Sequence, residues 1–302
     1  MTPPTTRLRE LLERDQVTLT PGAYDALTAR LVQRAGFDAV YMTGSGTAQA
    51  RYGMPDLGLL TATEMAANAG AMADAIDVPL IADADTGYGS PLNVRRTVQA
   101  YERAGVAGLH LEDQVSPKKC GQFHGKQLVS PEEHAMRIRA ACEARRDQDL
   151  VVIARTDALI VEGLESALVR AEHYVEAGAD MVFVEGPRSE DDLRRIGERL
   201  DVPLLYNMTS SGKSPFLSIQ ELGTFGRFRI MIAPNYVLQA TIGAAQEVLA
   251  QLHADGHVRG VLDRGVSWSG RQDAVDLPTY QELERRYGLS ADARTTYQDG
   301  VR

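Results

Sequence analysis

Eight short apolar segments that end in charged or polar residues recur along this chain of 302 residues. They are rich in Val, Ile and Leu and alternate little, which is typical of strands buried on both faces of a parallel sheet. A helical pattern of apolar residues follows each segment. The segments are residues 17–20, 39–43, 79–85, 108–113, 150–157, 181–186, 203–208 and 228–234. Eight strand–helix repeats predict an α/β fold of the (β/α)8 or TIM-barrel type.

The intervening segments carry helix start and stop signals. Thr61 with Glu64 three residues later indicates a capping box at a helix start. Gly36, Gly105 and Gly178 each follow a helical pattern and precede a strand, as left-handed helix-terminating glycines do. Helices are expected over 26–35, 65–76, 92–104, 132–144, 164–177, 190–200 and 236–253.

A doubly wound open sheet is the alternative architecture. It would carry a glycine-rich phosphate-binding turn after its first strand. The run Thr43 to Thr47 resembles such a turn, but it lacks a further glycine and a helix that follows at once. The barrel is therefore favoured.

The chain is expected to divide into a barrel at 1–257 and a C-terminal extension at 258–302. The last forty-odd residues are charged and only partly patterned. A helix is expected from Tyr280 to Tyr287, after Leu277-Pro278-Thr279. This extension lies beyond the eighth repeat, so it either packs on a neighbouring subunit or trails on the surface.

The net charge of −9, from 41 acids and 32 bases, argues against nucleic acid or an anionic membrane as a partner. No apolar run is long enough to span a membrane, and residues 1–6 do not resemble a signal peptide. Cys120 and Cys142 form no CxxC pair, which favours a reducing compartment. These features predict a cytoplasmic protein.

Three acids at the ends of adjacent strands indicate a metal site. Asp83 and Asp85 flank Ala84 and point to the same face, and Glu112 ends the next strand. Neighbouring carboxylates repel each other unless a cation intervenes, and hard oxygen ligands suit Mg²⁺ or Mn²⁺. The alternative is that these acids cap helices or form salt bridges at the barrel rim.

The segment from Gln114 to Lys126 has the composition of a mobile loop over a barrel mouth. It contains glycines, three lysines and Cys120, and it follows the fourth strand. Such loops commonly exclude water from a site, and a thiol beside lysines is expected to have a lowered pKa. A basic surface loop with an incidental cysteine is the alternative.

Polar residues at the other strand ends are candidates for substrate binding. Arg155 could bind a carboxylate with two hydrogen bonds, or form an ion pair with Asp157 or Glu185. Asn207 and Thr209 follow the seventh strand, and Ser45, Gly46 and Thr47 follow the second; all offer hydrogen-bond donors.

The histidines do not indicate a catalytic or metal site. His110 lies between leucines in a strand and is expected in the core. His134, His173 and His253 fall on predicted helices and are expected to face solvent.

The chain resembles the isocitrate lyase / phosphoenolpyruvate mutase superfamily. The resemblance extends from about residue 20 to 240 and comprises motifs in the expected order. These are PGAYDA (21–26), MTGSGT (42–47), DADTGYG (83–89), HLEDQ (110–114), PKKCG (117–121), IARTDA (153–158) and VEG (184–186).

The resemblance implies roles for particular residues. Asp85 would hold Mg²⁺, or Mn²⁺, with Asp83 and Glu112 around it. Lys118 to Gly121 would form the gating loop, with Cys120 as proton donor, and Arg155 would stabilise an enolate oxygen. The residues implied to line the substrate pocket are Ser45, Gly46, Thr47, Asp56, Gly121, Gln122, Glu185, Asn207, Thr209 and Gln239.

It also implies a homo-oligomer, a tetramer in which the last barrel helix is exchanged between partners, and a small anionic 2-oxo or 2-hydroxy acid as substrate. The Lys-Lys-Cys-Gly loop resembles that of the carbon–carbon lyases, although some phosphonomutases carry a similar loop. Gln122 stands where the lyases usually have histidine, although His124 could substitute for it. Gln239 stands where methylisocitrate lyases have an arginine, and we therefore expect a dicarboxylate or smaller substrate.

These observations predict a Mg²⁺-dependent carbon–carbon lyase acting through an enolate on a substituted malate or oxaloacetate. The alternatives are phosphonomutase chemistry on a phosphoenolpyruvate or carboxyphosphonoenolpyruvate type of substrate at the same site, or an oxaloacetate decarboxylase or hydrolase. A non-catalytic barrel that binds a ligand is the alternative of a different class.

Overall fold

The computed structural model describes residues 2–121 and 123–290. Eight parallel strands close into a barrel in chain order, with β8 paired to β1. This confirms the (β/α)8 barrel and excludes the open sheet. The strands are β1 (Thr18–Ala23), β2 (Val40–Met42), β3 (Leu80–Asp83), β4 (Gly108–Glu112), β5 (Val151–Thr156), β6 (Met181–Val184), β7 (Leu204–Asn207) and β8 (Phe228–Ala233).

Thirteen α-helices are formed by the described residues. They are α1 (Pro4–Glu13), α2 (Ala26–Arg34), α3 (Gly44–Tyr52), α4 (Ala62–Ala73), α5 (Pro91–Arg103), α6 (Pro131–Ala144), α7 (Ala158–Val161), α8 (Leu164–Glu176), α9 (Glu190–Arg199), α10 (Ile219–Gly223), α11 (Tyr236–Asp255), α12 (Trp268–Ala274) and α13 (Leu277–Arg286). A 3₁₀ helix spans Arg259–Val261. The Thr61–Glu64 capping box is present, and Gly36, Gly105 and Gly178 have positive φ, as predicted.

The structure contains helices that the sequence patterns did not indicate. Helix α3 starts directly after β2, so the expectation that no helix follows Thr43 at once was wrong. The side chain of Thr43 caps α3 by accepting a hydrogen bond from the N–H of Gly46. Helix α1 adds three leucines, Leu8, Leu11 and Leu12, to the apolar cluster inside the barrel. This burial explains why Pro4–Glu13 forms a helix although it precedes the first repeat.

The contacts divide the chain into two compact units, one ending at Thr241 and the other beginning at Ile242. The first unit contains α1 to α10 and the whole barrel. The second contains most of α11, together with α12 and α13. The predicted limits 1–257 and 258–302 stay a prediction, and residues 291–302 of the extension lie outside the described residues.

No helix in the described part of the chain is long and apolar enough to cross a membrane.

Candidate active site

The carboxyl ends of the strands bring the predicted polar residues to one mouth of the barrel. Asp83 ends β3, Glu112 ends β4 and Asn207 ends β7. Glu185 comes directly after β6, and Arg155 is the penultimate residue of β5. All strands are parallel, so residues at these positions share one end of the barrel.

Two buried carboxylates, Asp83 and Asp85, are fixed at the end of β3. Asp85 has φ 46°, in the left-handed region that residues other than glycine rarely adopt. Its N–H donates to Oδ1 of Asp83 at 2.9 Å, and its carbonyl accepts from the N–H of Glu112 at 2.9 Å. Backbone strain of this kind is typical of functional sites, where the surroundings enforce the conformation.

Burial and mutual repulsion change the protonation of these acids. Burial raises the pKa of Asp85 to about 6; Lys118 opposes this, and Asp83 and Asp56 add to it. Burial also raises the pKa of Glu112 well above its usual value, although Arg155 opposes the change. A further cation would favour the ionised form of both groups.

A lysine from the loop after β4 reaches into this acidic cluster. Lys118 is buried, and its Nζ lies 2.5 Å from Oδ1 of Asp56 and 3.0 Å from Oδ1 of Asp85. Burial would lower the pKa of Lys118, but the acids around it, Asp85 foremost, raise it well above its usual value. The ammonium therefore stays charged and connects the loop to the carboxylates.

The carboxylates fit a magnesium or manganese ion by the chemistry of their donor atoms. Oδ1 of Asp85 and Oε2 of Glu112 are buried, and each lies in an ion pair, with Lys118 at 3.0 Å and Arg155 at 3.2 Å, that lacks the geometry of a hydrogen bond. Within residues 2–121 and 123–290, no three His, Cys, Asp or Glu side chains lie close enough together to hold one metal ion. An ion here would therefore take further oxygen ligands from water or substrate, as Mg²⁺ commonly does.

Arg155 lies against two carboxylates and an aromatic ring. Its Nη1 is 3.2 Å from Oε2 of Glu112, and its Nε and Nη2 donate to Asp157 at 3.0 and 3.3 Å. The guanidinium carbon lies 5.0 Å from the ring centroid of Phe183. The ion pair that the sequence offered as one alternative for Arg155 is therefore formed, and it fixes the orientation of the guanidinium.

The site loop, residues 114–121 and 123–126, is bonded to the mouth of the barrel. The buried Gln114 donates through Nε2 to Oε1 of Glu112 at 3.0 Å and to the carbonyl of Lys119 at 2.9 Å. The N–H of Cys120 donates to the carbonyl of Asp56 at 3.2 Å. A Cβ built on Gly121 would lie 2.7 Å from Nη2 of Arg155. The loop therefore lies directly over the site, in a closed position.

A cavity of about 60 Å³ lies between the loop and the barrel mouth. Its size restricts the site to a small ligand. Ten of the predicted residues line it: Ser45, Asp56, Asp83, Lys118, Cys120, Gly121, Arg155, Glu185, Asn207 and Thr209. The other cavity-lining residues are Tyr41, Thr43, Phe183, Ile232, Pro234 and Asn235.

Several predicted residues, among them the proposed metal ligands Asp85 and Glu112, do not line this cavity. The N–H of Gly46 donates to Thr43, and the hydroxyl of Thr47 donates to the Thr43 carbonyl at 2.8 Å, so both residues hold the start of α3. Gln239 donates to Oγ of Ser210 at 2.7 Å. Gln122 lies outside the described residues. Contact between these residues and a substrate stays a prediction.

Sequence reasoning missed six cavity-lining residues, of which Thr43 and Asn235 follow strands and Tyr41 and Phe183 lie within them. Thr43 Oγ1 donates to Oδ1 of Asn235 at 3.2 Å, which links the ends of β2 and β8. Thr43 directly follows β2, and Asn235 lies two residues after β8. This position at the carboxyl end of a strand was the signal that could have identified them. Tyr41 and Phe183 lie inside strands, where their aromatic side chains gave no reason to separate them from the core.

The chain matches a family model described as phosphoenolpyruvate phosphomutase over residues 8–253. The 2,3-dimethylmalate lyase of Eubacterium barkeri is 44% identical over 281 residues, which covers 93% of this chain and 97% of that protein. A 2-methylisocitrate lyase of Aeropyrum pernix is 42% identical, with 92% of this chain and 88% of that protein covered.

Solved structures are similar over nearly the whole chain. Oxaloacetate acetylhydrolase in complex with the inhibitor 3,3-difluorooxalacetate is 40% identical, with a TM-score of 0.90 and coverage of 95% of this chain and 98% of that chain. Phosphonopyruvate hydrolase in complex with oxalate and Mg²⁺ is 31% identical, with a TM-score of 0.85 and coverage of 95% and 99%.

Proposed function

Since the chain belongs to the phosphoenolpyruvate phosphomutase family and is an enzyme of the isocitrate lyase / phosphoenolpyruvate mutase superfamily, we propose that it cleaves a carbon–carbon bond. The proposed substrate is a 2-hydroxy or 2-oxo dicarboxylate of the substituted malate or oxaloacetate type. The proposed cofactor is Mg²⁺, for which Mn²⁺ could substitute. The names of the two lyase relatives and the four-carbon dicarboxylate bound by the similar hydrolase support this choice.

One observation carries the proposal: the thiol-bearing Cys120 and Arg155 line the same small cavity. Cleavage of a carbon–carbon bond leaves an electron pair on carbon and negative charge on an adjacent oxygen. Such a reaction needs a cation near that oxygen and an acid near that carbon. Arg155 and Cys120 are groups of these two kinds.

The residues of the cavity would act in the following way. Ser45, Asn207 and Thr209 bind and orient the substrate carboxylates through hydrogen bonds. Arg155 faces the oxygen that gains negative charge as the bond breaks, and its charge lowers the energy of the enolate. For a 2-hydroxy substrate, the carboxylate of Glu185 would take the proton of the 2-hydroxyl, so that the C2–C3 bond breaks into a 2-oxo acid and an enolate. The thiol of Cys120 then gives its proton to the carbon of the enolate, and the loop excludes competing water.

The acids of the cluster would serve the metal. Asp85 is proposed to hold the ion, with Asp83 and Glu112 beside it, and Lys118 and Glu185 complete the charged lining of the site. When bound, Mg²⁺ supplies a Lewis acid that polarises the substrate oxygens. The magnesium in the similar hydrolase supports the same ion in this protein.

Gln239 supports a substrate with two carboxylates. It is neutral and is bonded to Ser210. By the resemblance, this is the position whose arginine would pair with a third carboxylate, and Gln239 carries no charge for that role.

Phosphonomutase chemistry is the alternative, favoured by the description of the matching family model. Rearrangement of a phosphorus–carbon bond does not require an acid to protonate carbon, so it predicts a different dependence on Cys120. An oxaloacetate hydrolase would add water at C2 before the C2–C3 bond breaks into oxalate and the enolate of acetate. An oxaloacetate decarboxylase would release CO₂ and leave the enolate of pyruvate.

A substrate panel tests the proposal. Substituted malates and oxaloacetate are assayed for release of pyruvate, glyoxylate or other keto acids, and phosphonates are assayed by ³¹P NMR. We expect carbon–carbon cleavage in the wild type and a loss of about 10²-fold or more in kcat for Cys120→Ser. A new phosphorus–carbon product that is still formed by Cys120→Ser would contradict the lyase and favour the mutase.

Metal binding is tested separately from turnover. We expect Asp85→Asn to weaken binding of Mn²⁺, followed by electron paramagnetic resonance, by at least about tenfold because a charged ligand is lost. Asp38→Asn, at an exposed position just before the amino end of β2 and so at the opposite end of the barrel from the site, is the matched control. Equal Mn²⁺ affinity in the wild type and Asp85→Asn would contradict the assignment.

A further inference from the structure

Lys126, at the end of the site loop, is buried and bonded on two sides. Its side chain is only 1% exposed. Its ammonium donates to Oδ1 of Asp157 at 2.5 Å and to the carbonyl of Gly121 at 2.7 Å. Burying an ammonium is unfavourable unless it is paired and hydrogen-bonded, so these two acceptors explain how Lys126 is tolerated there. The proposed function assigns it no role.

Asp157, the first acceptor, belongs to the barrel and orients Arg155. Its carboxylate receives both hydrogen bonds from the guanidinium of Arg155. Its own N–H donates to Oδ1 of Asp113 at 2.9 Å. Burial would raise the pKa of Asp157, but Arg155 and Lys126 outweigh it and lower the pKa to about 2. Asp157 is therefore an ionised, fixed anchor shared by the two cations.

Gly121, the second acceptor, belongs to the loop and lies against the same guanidinium. A Cβ built on Gly121 would lie 2.7 Å from Nη2 of Arg155 and 2.8 Å from Oε1 of Glu185. The residue before it is Cys120. The carbonyl of Gly121 can accept from Lys126 only while this part of the loop is in its closed position.

We propose that Lys126 is a positioning residue that couples the closed position of the loop at Cys120 and Gly121 to the orientation of Arg155. One ammonium bonds both the loop carbonyl and the carboxylate that holds the guanidinium. Loss of the loop contact removes one of the two acceptors of a buried cation, so the open position is disfavoured. The consequence for catalysis rests on the proposed function, but the effect on the loop does not.

The test measures how accessible Cys120 is. Cys120 and Cys142 are the two cysteines of the chain, and they are alkylated with N-ethylmaleimide and quantified by peptide mass spectrometry. We expect Lys126→Met, which keeps a long side chain but has no donor, to label Cys120 about tenfold faster. If Lys126→Met acted only by removing a nearby positive charge, the thiol would ionise less readily and labelling would slow. Loop opening speeds the labelling instead, so the direction of the change separates the two effects.

The same samples contain their own reference. Cys142 lies in α6, its Sγ donates to the carbonyl of Gly178, and burial raises its pKa to about 11. Its labelling rate should be unchanged. Arg227→Met, which removes an exposed cation directly before β8, is the charge control and should leave the Cys120 rate within about twofold of the wild type.

Kinetics separates positioning from general stability. With a substrate found in the panel, Lys126→Met should lower kcat about tenfold or more while KM changes much less, and Lys126→Arg should restore part of kcat. If Lys126→Met does not fold to a native melting temperature, Lys126→Leu, which also has no donor, is judged by the same criteria.

Two results overturn the inference: an unchanged Cys120 labelling rate in a folded Lys126→Met or Lys126→Leu variant, or equal acceleration at Cys142. Faster labelling of Cys120 without any lyase turnover in the wild type would leave the inference standing and reject the proposed function.

Discussion

At the scale of single residues, the site depends on charged groups that the fold removes from water. Asp85, Glu112, Lys118 and Arg155 are each unfavourable in isolation, and the pKa of each departs from its usual value. Their opposite charges at hydrogen-bonding distances offset the cost of burial. Perturbed pKa values concentrated at one mouth of the barrel are a general mark of a functional site.

His134 shows the same principle outside the site and corrects a prediction. The sequence placed it on a helix facing solvent, but it is fully buried, with its ring 4.6 Å from that of Tyr174. Burial lowers its pKa to about 3. The apolar periodicity of α6 could not reveal this, because a histidine is compatible with either face of a helix.

The titration of His134 predicts a pH dependence of stability. The unfolded chain binds a proton at this ring near pH 6.5, whereas the folded chain binds it near pH 3. Between these values the unfolded state holds more protons, so the stabilisation is complete above pH 6.5 and is lost as pH falls. Between pH 6 and 5, the free energy of unfolding of the wild type should therefore fall by about 1 kcal/mol more than that of His134→Phe.

Chemical denaturation at several pH values measures this difference. His253→Gln, at an exposed position in α11, is the control and should keep the slope of the wild type. A His134→Phe slope equal to that of the wild type would show that His134 is not held neutral by the fold.

At the scale of elements, the strands supply the acids and Arg155, while the loops bring Asp56, Lys118 and Cys120 to them. The loop after β4 must pass close to Arg155, and Gly121 permits this approach because it has no side chain. The glycine is needed for space at this position.

Gly121→Ala should therefore impair closure without unfolding the barrel. The added methyl would lie under 3 Å from Arg155 and Glu185. We expect kcat of the proposed reaction to fall by at least about tenfold, since the loop would no longer seat over the site. The free energy of unfolding should change by less than about 1 kcal/mol, because the loop is peripheral to the core.

Gly223→Ala is the matched control for this substitution. A Cβ there meets Val17 at an ordinary 3.7 Å, and Gly223 lies in α10. Its activity and melting temperature should match the wild type. Full activity in Gly121→Ala would mean that turnover does not require the closed position of the site loop.

At the scale of the whole molecule, α11 is apolar but poorly buried. Among its residues, all of which are described, Leu238 alone is buried, whereas Ile242 is 43% and Leu249 63% exposed. An exposed apolar helix face of this length is expected to be covered in an oligomer. This supports the predicted exchange of the last barrel helix between subunits as a proposal.

We therefore expect a homo-oligomer, with a mass of about 132 kDa if four chains of 32.9 kDa associate. Light scattering after size-exclusion chromatography measures the mass. Leu249→Glu should shift it towards smaller species, because a charge would be buried in the interface, whereas Gln246→Glu, at an exposed polar position of α11, should not. A monomeric wild type would reject the proposed assembly.

The sequence alone determined the barrel and much of the site. Eight apolar segments and their helical spacers specify the strand order, because parallel strands joined by helices have few ways to bury both faces. The same rule placed Asp83, Glu112 and Arg155 at one mouth, since the carboxyl ends of parallel strands coincide. Helices such as α3 and α1 were missed because they are stabilised by a cap and by tertiary burial rather than by a strong periodicity of their own.

Only the tertiary structure decided which charges meet. Lys118 pairs with Asp56, and Lys126 pairs with Asp157 and with the carbonyl of Gly121. These partners lie from 5 to 62 positions apart in the sequence, and the path of the loop brings them together. Neither residue type nor periodicity encodes the path of a loop. Which carboxylate each lysine meets follows from the distances that the closed barrel imposes and from the burial that makes an unpaired charge intolerable.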